Sequence, residues 1–135
     1  MVAVLKDYCD YSPDTFVGRS DIHGFGLIAS REFQSSELIL DYSVYAQNWC
    51  KKLYSKLTHN ELETHSFVML DSNNCGLITS ELKFWYVNHS REPNGFWDVS
   101  ANKVYALEHI PRLSEVFIDY RLEPLPHNSG ASPWL

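Results

Sequence analysis

Three segments hold polar and flexible residues in arrangements that could do chemistry. The first is Ile22-His23-Gly24-Phe25-Gly26-Leu27, the second Asn88-His89-Ser90-Arg91-Glu92-Pro93-Asn94, and the third Glu115-Val116-Phe117-Ile118-Asp119-Tyr120. At Gly24 and Gly26 the missing Cβ atoms permit positive φ and let backbone approach a ligand closely. An isolated Gly-x-Gly is more often a plain β-turn, and this one lacks the strand-to-helix context of a dinucleotide fingerprint. Asn88 and His89 follow Phe84-Trp85-Tyr86-Val87, so two polar side chains arrive at the edge of an apolar segment and need hydrogen-bond partners there. They either cap the turn leading to Pro93-Asn94 or meet a ligand. The third segment, taken alone, is a strand with a polar exit.

The elements that must position these residues are short. From Thr15 to Ala46, apolar stretches (Thr15-Phe16-Val17, Leu27-Ile28-Ala29, Leu38-Ile39-Leu40 and Tyr42-Ser43-Val44-Tyr45) alternate with turn signals, the rhythm of small β-strands. The first dozen residues read as an edge strand or an extended tail. Between Asn48 and about His65, Leu53, Leu57 and Leu62 recur near helical period, which predicts one or two helices. Ser66–Leu70 and Leu77–Thr79 read as a hairpin around Asp71–Gly76, and Phe96–Val99 and Val104–Leu107 as another. Val116–Ile118 reads as a core strand, and the prolines at 124, 126 and 133 exclude regular structure after Tyr120. The chain of 135 residues fits one domain. Residue patterning alone gives a mostly β domain with one helical insertion.

In this order and spacing the three segments resemble the GxG, NHSxxPN and ExxxDY signatures of the SET-domain protein-lysine methyltransferases, over about Val17 to Tyr120. The resemblance implies the SET-domain β-clip fold: mostly β with short helices, several small sheets and a knot-like C-terminal threading. It implies a single domain over 1–135, with its core at about 15–121 and an irregular tail at 122–135. It further implies S-adenosyl-L-methionine as cofactor, bound by His23, Gly24, Phe25, Gly26, Asn88, His89 and Tyr120. Tyr120 matches the family's active-site tyrosine. Tyr42 lies six residues after Ser36, at the place of the family's Gly-Glu, and is a second catalytic candidate; a strand aromatic in the core is the competing reading of it. Tyr42, Phe117, Ile118 and Trp134 would line a lysine channel, with Trp134 closing it. Arg91 stands where many members carry Cys. The Cys-rich zinc segment that follows the catalytic tyrosine in many members is missing, as in the minimal viral and bacterial forms, and no metal is implied. Ile118 falls where the family often uses Phe or Tyr to limit the number of methyls added, so the degree of methylation is not readable.

The chemistry explains the tyrosines. A lysine amine with a pKa of about 10.4 is protonated at neutral pH, and freeing it costs roughly 4–5 kcal/mol at pH 7. An apolar channel and a nearby sulfonium lower that cost, whereas a carboxylate beside the amine would hold the proton on. A neutral phenol orients the amine without that penalty, which makes Asp119 structural.

Composition narrows the alternatives. Apolar residues make up 44% and aromatics 14%, enough for a core and against disorder. Cys9, Cys50 and Cys75 form no Cys-x-x-Cys pair, which indicates neither a zinc site nor a disulfide framework. The spacing of His59 and His65 is not that of a zinc hydrolase. With net charge −6 and one basic cluster at Lys51, Lys52 and Lys56, expected on one short helix, nucleic-acid binding is disfavoured. An acidic surface suits a lysine-containing, basic protein substrate such as a histone tail. No membrane span and no signal peptide are readable, so a soluble intracellular protein, cytoplasmic or nuclear, is expected. Homodimerisation would suit so small a chain. The competing reading is a catalytically silent SET-fold module that binds a peptide or partner.

Overall fold

Turn residues interrupt this chain every few positions, so its β-branched and aromatic stretches pair as several small sheets. The computed structural model describes residues 8–47, 51–64, 66–71 and 73–122. In chain order the strands are β1 (Thr15–Arg19), β2 (Phe25–Ala29), β3 (Leu38–Asp41), β4 (Lys51–Leu53) and β5 (Ser66–Met69), then β6 (Asn74–Ile78), β7 (Asn88–His89), β8 (Gly95–Asp98), β9 (Lys103–Ala106) and β10 (Glu115–Ile118). Among the described residues two short helices, α1 (Ser43–Ala46) and α2 (His59–Thr64), accompany 3-10 turns at Tyr54–Lys56, Lys83–Tyr86 and Tyr120–Leu122. A four-stranded sheet runs β1-β2-β10-β7, and two three-stranded sheets run β3-β9-β8 and β4-β6-β5. The expected β-rich architecture of several small sheets is present.

Both expected hairpins form, as β5–β6 and β8–β9. Two local expectations are corrected. Tyr42–Tyr45 is not a strand: Asp41 Oδ1 accepts from both the Ser43 N–H (2.9 Å) and the Ser43 Oγ–H (2.6 Å), and α1 starts there. Such a local acceptor competes with strand pairing. The stretch read as one or two helices from Asn48 to about His65 does carry α2, but Lys51–Leu53 within it is a strand, because it pairs antiparallel with Asn74–Gly76. Its three lysines are therefore divided between β4 and the following 3-10 turn. Helical period in a short leucine-spaced segment yields to a tertiary partner.

The core gathers one face of each sheet around Tyr42, Phe84 and Trp97. The Tyr42 and Phe84 ring centroids are 4.4 Å apart, and those of Phe84 and Trp97 5.4 Å. Trp97 Nε1–H donates to the Tyr42 hydroxyl oxygen at 2.9 Å, the kind of polar partner a buried phenol requires. Leu27, Val87, Val116 and Ile118 bring the strands of the four-stranded sheet into the same cluster. A second fixture precedes β7. Asp10 accepts the Lys83 and Phe84 N–H groups, each at 2.9 Å, and so caps the 3-10 turn at Lys83–Tyr86. Lys83 Nζ reaches back to the carbonyls of Ser12 (2.5 Å) and Thr15 (2.9 Å). Burial pushes the Asp10 carboxyl up and the Lys83 ammonium down. The segment that delivers Asn88 and His89 is thus pinned to the N-terminal strap.

Ser36, at the position where the resemblance expects glycine, has φ +75°. A side chain in that left-handed region costs on the order of 1 kcal/mol relative to glycine, partly offset by glycine's greater freedom in the unfolded chain. Ser36→Gly is therefore expected to raise stability by about 0.5–1 kcal/mol, a Tm increase of about 2–5 °C. A calorimetric Tm equal to or below that of the parent would contradict this assignment of strain.

Candidate active site

All three sequence segments meet along β10. This strand pairs antiparallel with β2 (Glu115 opposite Ile28, Val116 opposite Leu27) and parallel with β7 (Phe117 opposite Asn88, Ile118 opposite His89). Asn94 clamps its backbone, accepting the Phe117 N–H and donating to the Glu115 carbonyl, both at 2.8 Å. The Ser90 N–H donates to the Ile118 carbonyl at 3.0 Å. The final strand is therefore fixed between the glycine turn and the Asn88-to-Asn94 loop.

Glu115 lies at the junction. Its Oε1 accepts the Ser20 Oγ–H at 2.7 Å and its Oε2 accepts from Asn88 Nδ2 at 2.8 Å. Asn88 Nδ2 also faces the carbonyls of Phe25 (3.0 Å) and His23 (3.3 Å). Ser20 Oγ in turn accepts the Ile22 and His23 N–H groups at 3.1 Å each, and the Ser20 N–H donates to the Gly24 carbonyl at 2.9 Å. The two glycines do different work. Gly24 has φ +51° and open space where a Cβ would stand, so its role is conformational. A Cβ on Gly26 would come within 2.3 Å of Glu115 Oε2. The space freed by this second glycine is filled by a carboxylate of the chain itself.

On the other side of β10, His89 Nδ1 accepts the Tyr120 N–H at 3.0 Å, and the two rings lie 5.1 Å apart at 43°. The Tyr120 hydroxyl donates to the Val87 carbonyl. With its proton so committed, that oxygen offers lone pairs to other donors. Asp119 is gripped by Arg121 through Nε (2.8 Å) and a terminal nitrogen (2.7 Å), which holds its carboxyl down at about 2. A paired carboxylate of this kind is a poor base at neutral pH.

The structure brings together His23, Gly24, Phe25, Gly26, Asn88, His89 and Tyr120 around β10, with Phe117 half-buried on the same strand. It does not bring Tyr42 or Ile118 to an accessible surface: both are 0% exposed within the core. Tyr42 is enclosed by Phe84 and Trp97. Trp134 lies outside the described residues. Sequence reasoning gave no role to Glu115, Ser20 or Asn94. Glu115 opens the ExxxDY string and could have been found from it, whereas Ser20 looked like any turn residue.

Burial is the main cause lowering His89 from its ordinary value of 6.5, opposed by the Asp119 charge. A lowered histidine binds fewer protons folded than unfolded just below pH 6.5, so stability there increases with pH. Its contribution is fully present above pH 6.5 and is lost as pH falls through the folded value. Protonation at Nδ1 would also break the acceptor role toward the Tyr120 N–H. The His89 imidazole is expected to titrate below 6.5 by NMR, and His89→Gln should flatten the stability profile in that window. A titration at or above 6.5 would contradict the burial argument.

Comparison with known proteins places this geometry in a family. The family model for the SET domain matches residues 24–121. No curated protein matches the chain in sequence. A solved structure from Plasmodium falciparum, named as a candidate histone methyltransferase, is 17% identical with a TM-score of 0.53, covering 93% of this chain and 100% of that one. At that identity the likeness is one of fold. With the family model covering most of the chain, including the glycine turn, the Asn88-His89 strand and Tyr120, this protein belongs to the SET-domain family.

Proposed function

We propose that this chain is an S-adenosyl-L-methionine-dependent protein-lysine N-methyltransferase whose substrate is a lysine in a basic protein segment. The observation that carries the reading is the convergence of the glycine turn, Asn88-His89 and Tyr120 on one strand. The residues present fit the cofactor chemically. Its α-ammonium needs acceptors, and the carbonyls of His23 and Phe25 gather at one place beside the Asn88 amide. Its adenine needs an aromatic or apolar surface, and Phe25 is 61% exposed at the edge of the same turn. When bound, the cofactor supplies a methyl group activated by a sulfonium.

The protein's own residues then have defined tasks. Tyr120, anchored through its hydroxyl to Val87 and its N–H to His89, presents a neutral acceptor that orients the incoming amine. Positioning of this kind supplies much of the rate gain in a reaction between two bound partners. Asp119, already paired with Arg121, does not draw the ammonium into a charged pair that would raise its pKa. Tyr42 and Ile118, buried in the cluster against which Tyr120 packs, act as the wall behind it rather than as groups that meet substrate. The competing reading is a silent SET fold that binds a peptide or partner.

Methyl transfer from labelled S-adenosylmethionine to a histone mixture and a total protein extract separates the two. Wild type is expected to label a protein band, and Tyr120→Phe to lose label by about a hundredfold or more while still binding cofactor. Equal labelling by both would remove Tyr120 from the reaction. Cofactor binding without transfer to any protein would favour the silent module.

A further inference from the structure

The carboxylate of Glu115 is held by groups from both sides of the site, and an ordinary strand-end glutamate would not be. Ser20 on the β1–β2 turn donates to one oxygen, and Asn88 on β7 donates to the other. Glu115 faces Ile28 across the β2–β10 ladder, and Gly26 lies two residues from Ile28 on the same face of β2. The missing Cβ at Gly26 leaves the slot that the carboxylate occupies. Ser20 completes the brace by holding the backbone N–H groups of Ile22 and His23.

Resting on the methyltransferase reading above, we infer that Glu115 is a positioning residue for cofactor binding, its carboxylate bracing the Gly24–Gly26 turn against Asn88 so that the turn's carbonyls are aimed before the ligand arrives. Preorganisation of this kind lowers the ordering cost of binding. A neutral amide does not replace it. In Glu115→Gln, an Nε2 facing Asn88 would oppose one donor with another. An Nε2 facing Ser20 would leave the Ser20 hydroxyl proton without its acceptor, while that oxygen already accepts two N–H groups. Either orientation breaks one arm of the brace.

The test is calorimetric affinity for S-adenosylmethionine in the wild type, Glu115→Gln, Ser20→Ala and the double variant, with circular dichroism checking the fold. Label transfer to the histone mixture at saturating cofactor is measured alongside. Glu115→Gln is expected to weaken Kd about 10- to 100-fold, the range for a lost hydrogen bond to a charged group. Ser20→Ala, on an exposed turn, should weaken it about three- to tenfold, and the double variant by less than the product of the two. Transfer at saturating cofactor should change by less than about threefold. A merely structural role would lower Tm and leave the Kd of the folded protein unmoved, which would overturn the inference. If Glu115→Gln does not fold, Ser20→Ala decides: wild-type affinity in that folded variant sinks the brace. A wild type that binds no S-adenosylmethionine would sink the methyltransferase reading itself, and this outcome is distinct from wild-type binding that neither variant alters.

Discussion

Strand β10 has hydrogen-bonding partners on both edges, and every functional group described above is placed through it. On one edge it meets β2 in antiparallel register, and on the other it meets the two-residue β7 in parallel. A parallel pair needs a long crossover, which the β8–β9 hairpin and the loop up to Ser114 provide. So short a parallel ladder has little intrinsic stability. It is held by side chains instead: Asn94 on the β10 backbone, His89 on the Tyr120 N–H, and Glu115 reaching to Asn88 and Ser20. Partly buried polar networks of this kind rigidify a site when every member is satisfied.

Charge is distributed around the site in a way that suits a cationic ligand at one end and a neutral reacting group at the other. The Glu115 carboxylate faces the glycine turn. Asp119, only 3.9 Å from His89 Nδ1, is taken up by Arg121. The tyrosine between them is held by a backbone carbonyl and an imidazole nitrogen rather than by an ion. A phenol so placed can orient an amine without stabilising its protonated form.

Much of this was legible in the residues. The spacing of Asn88-His89 and Glu115 to Tyr120 indicated both the family and the strand that carries the site, and the β8–β9 hairpin was marked by the apolar stretches Phe96–Val99 and Val104–Leu107. What could not be read was long-range or context-dependent. Tyr42 reads equally as a channel wall or as core, and only the Trp97 Nε1–H and the Phe84 ring decide for the core. Lys51–Leu53 carries a helical pattern until its partner strand from residue 74 is in place. Gly26 suggested room for a ligand, yet the group that fills the room comes from a residue 89 positions later. Ser36 stands where the resemblance expects glycine and adopts a left-handed φ, a backbone demand that its residue type does not reveal.

On the proposed function, β10 assembles a single cofactor site from the glycine turn, Asn88-His89 and Tyr120. The most direct measurement is an amide-resolved NMR titration of the wild-type protein with S-adenosylmethionine. Saturable one-to-one shifts concentrated at His23–Gly26, Asn88-His89 and Tyr120 are expected, with the β4-β6-β5 sheet little changed. No saturable shift, or shifts centred on that sheet, would contradict it.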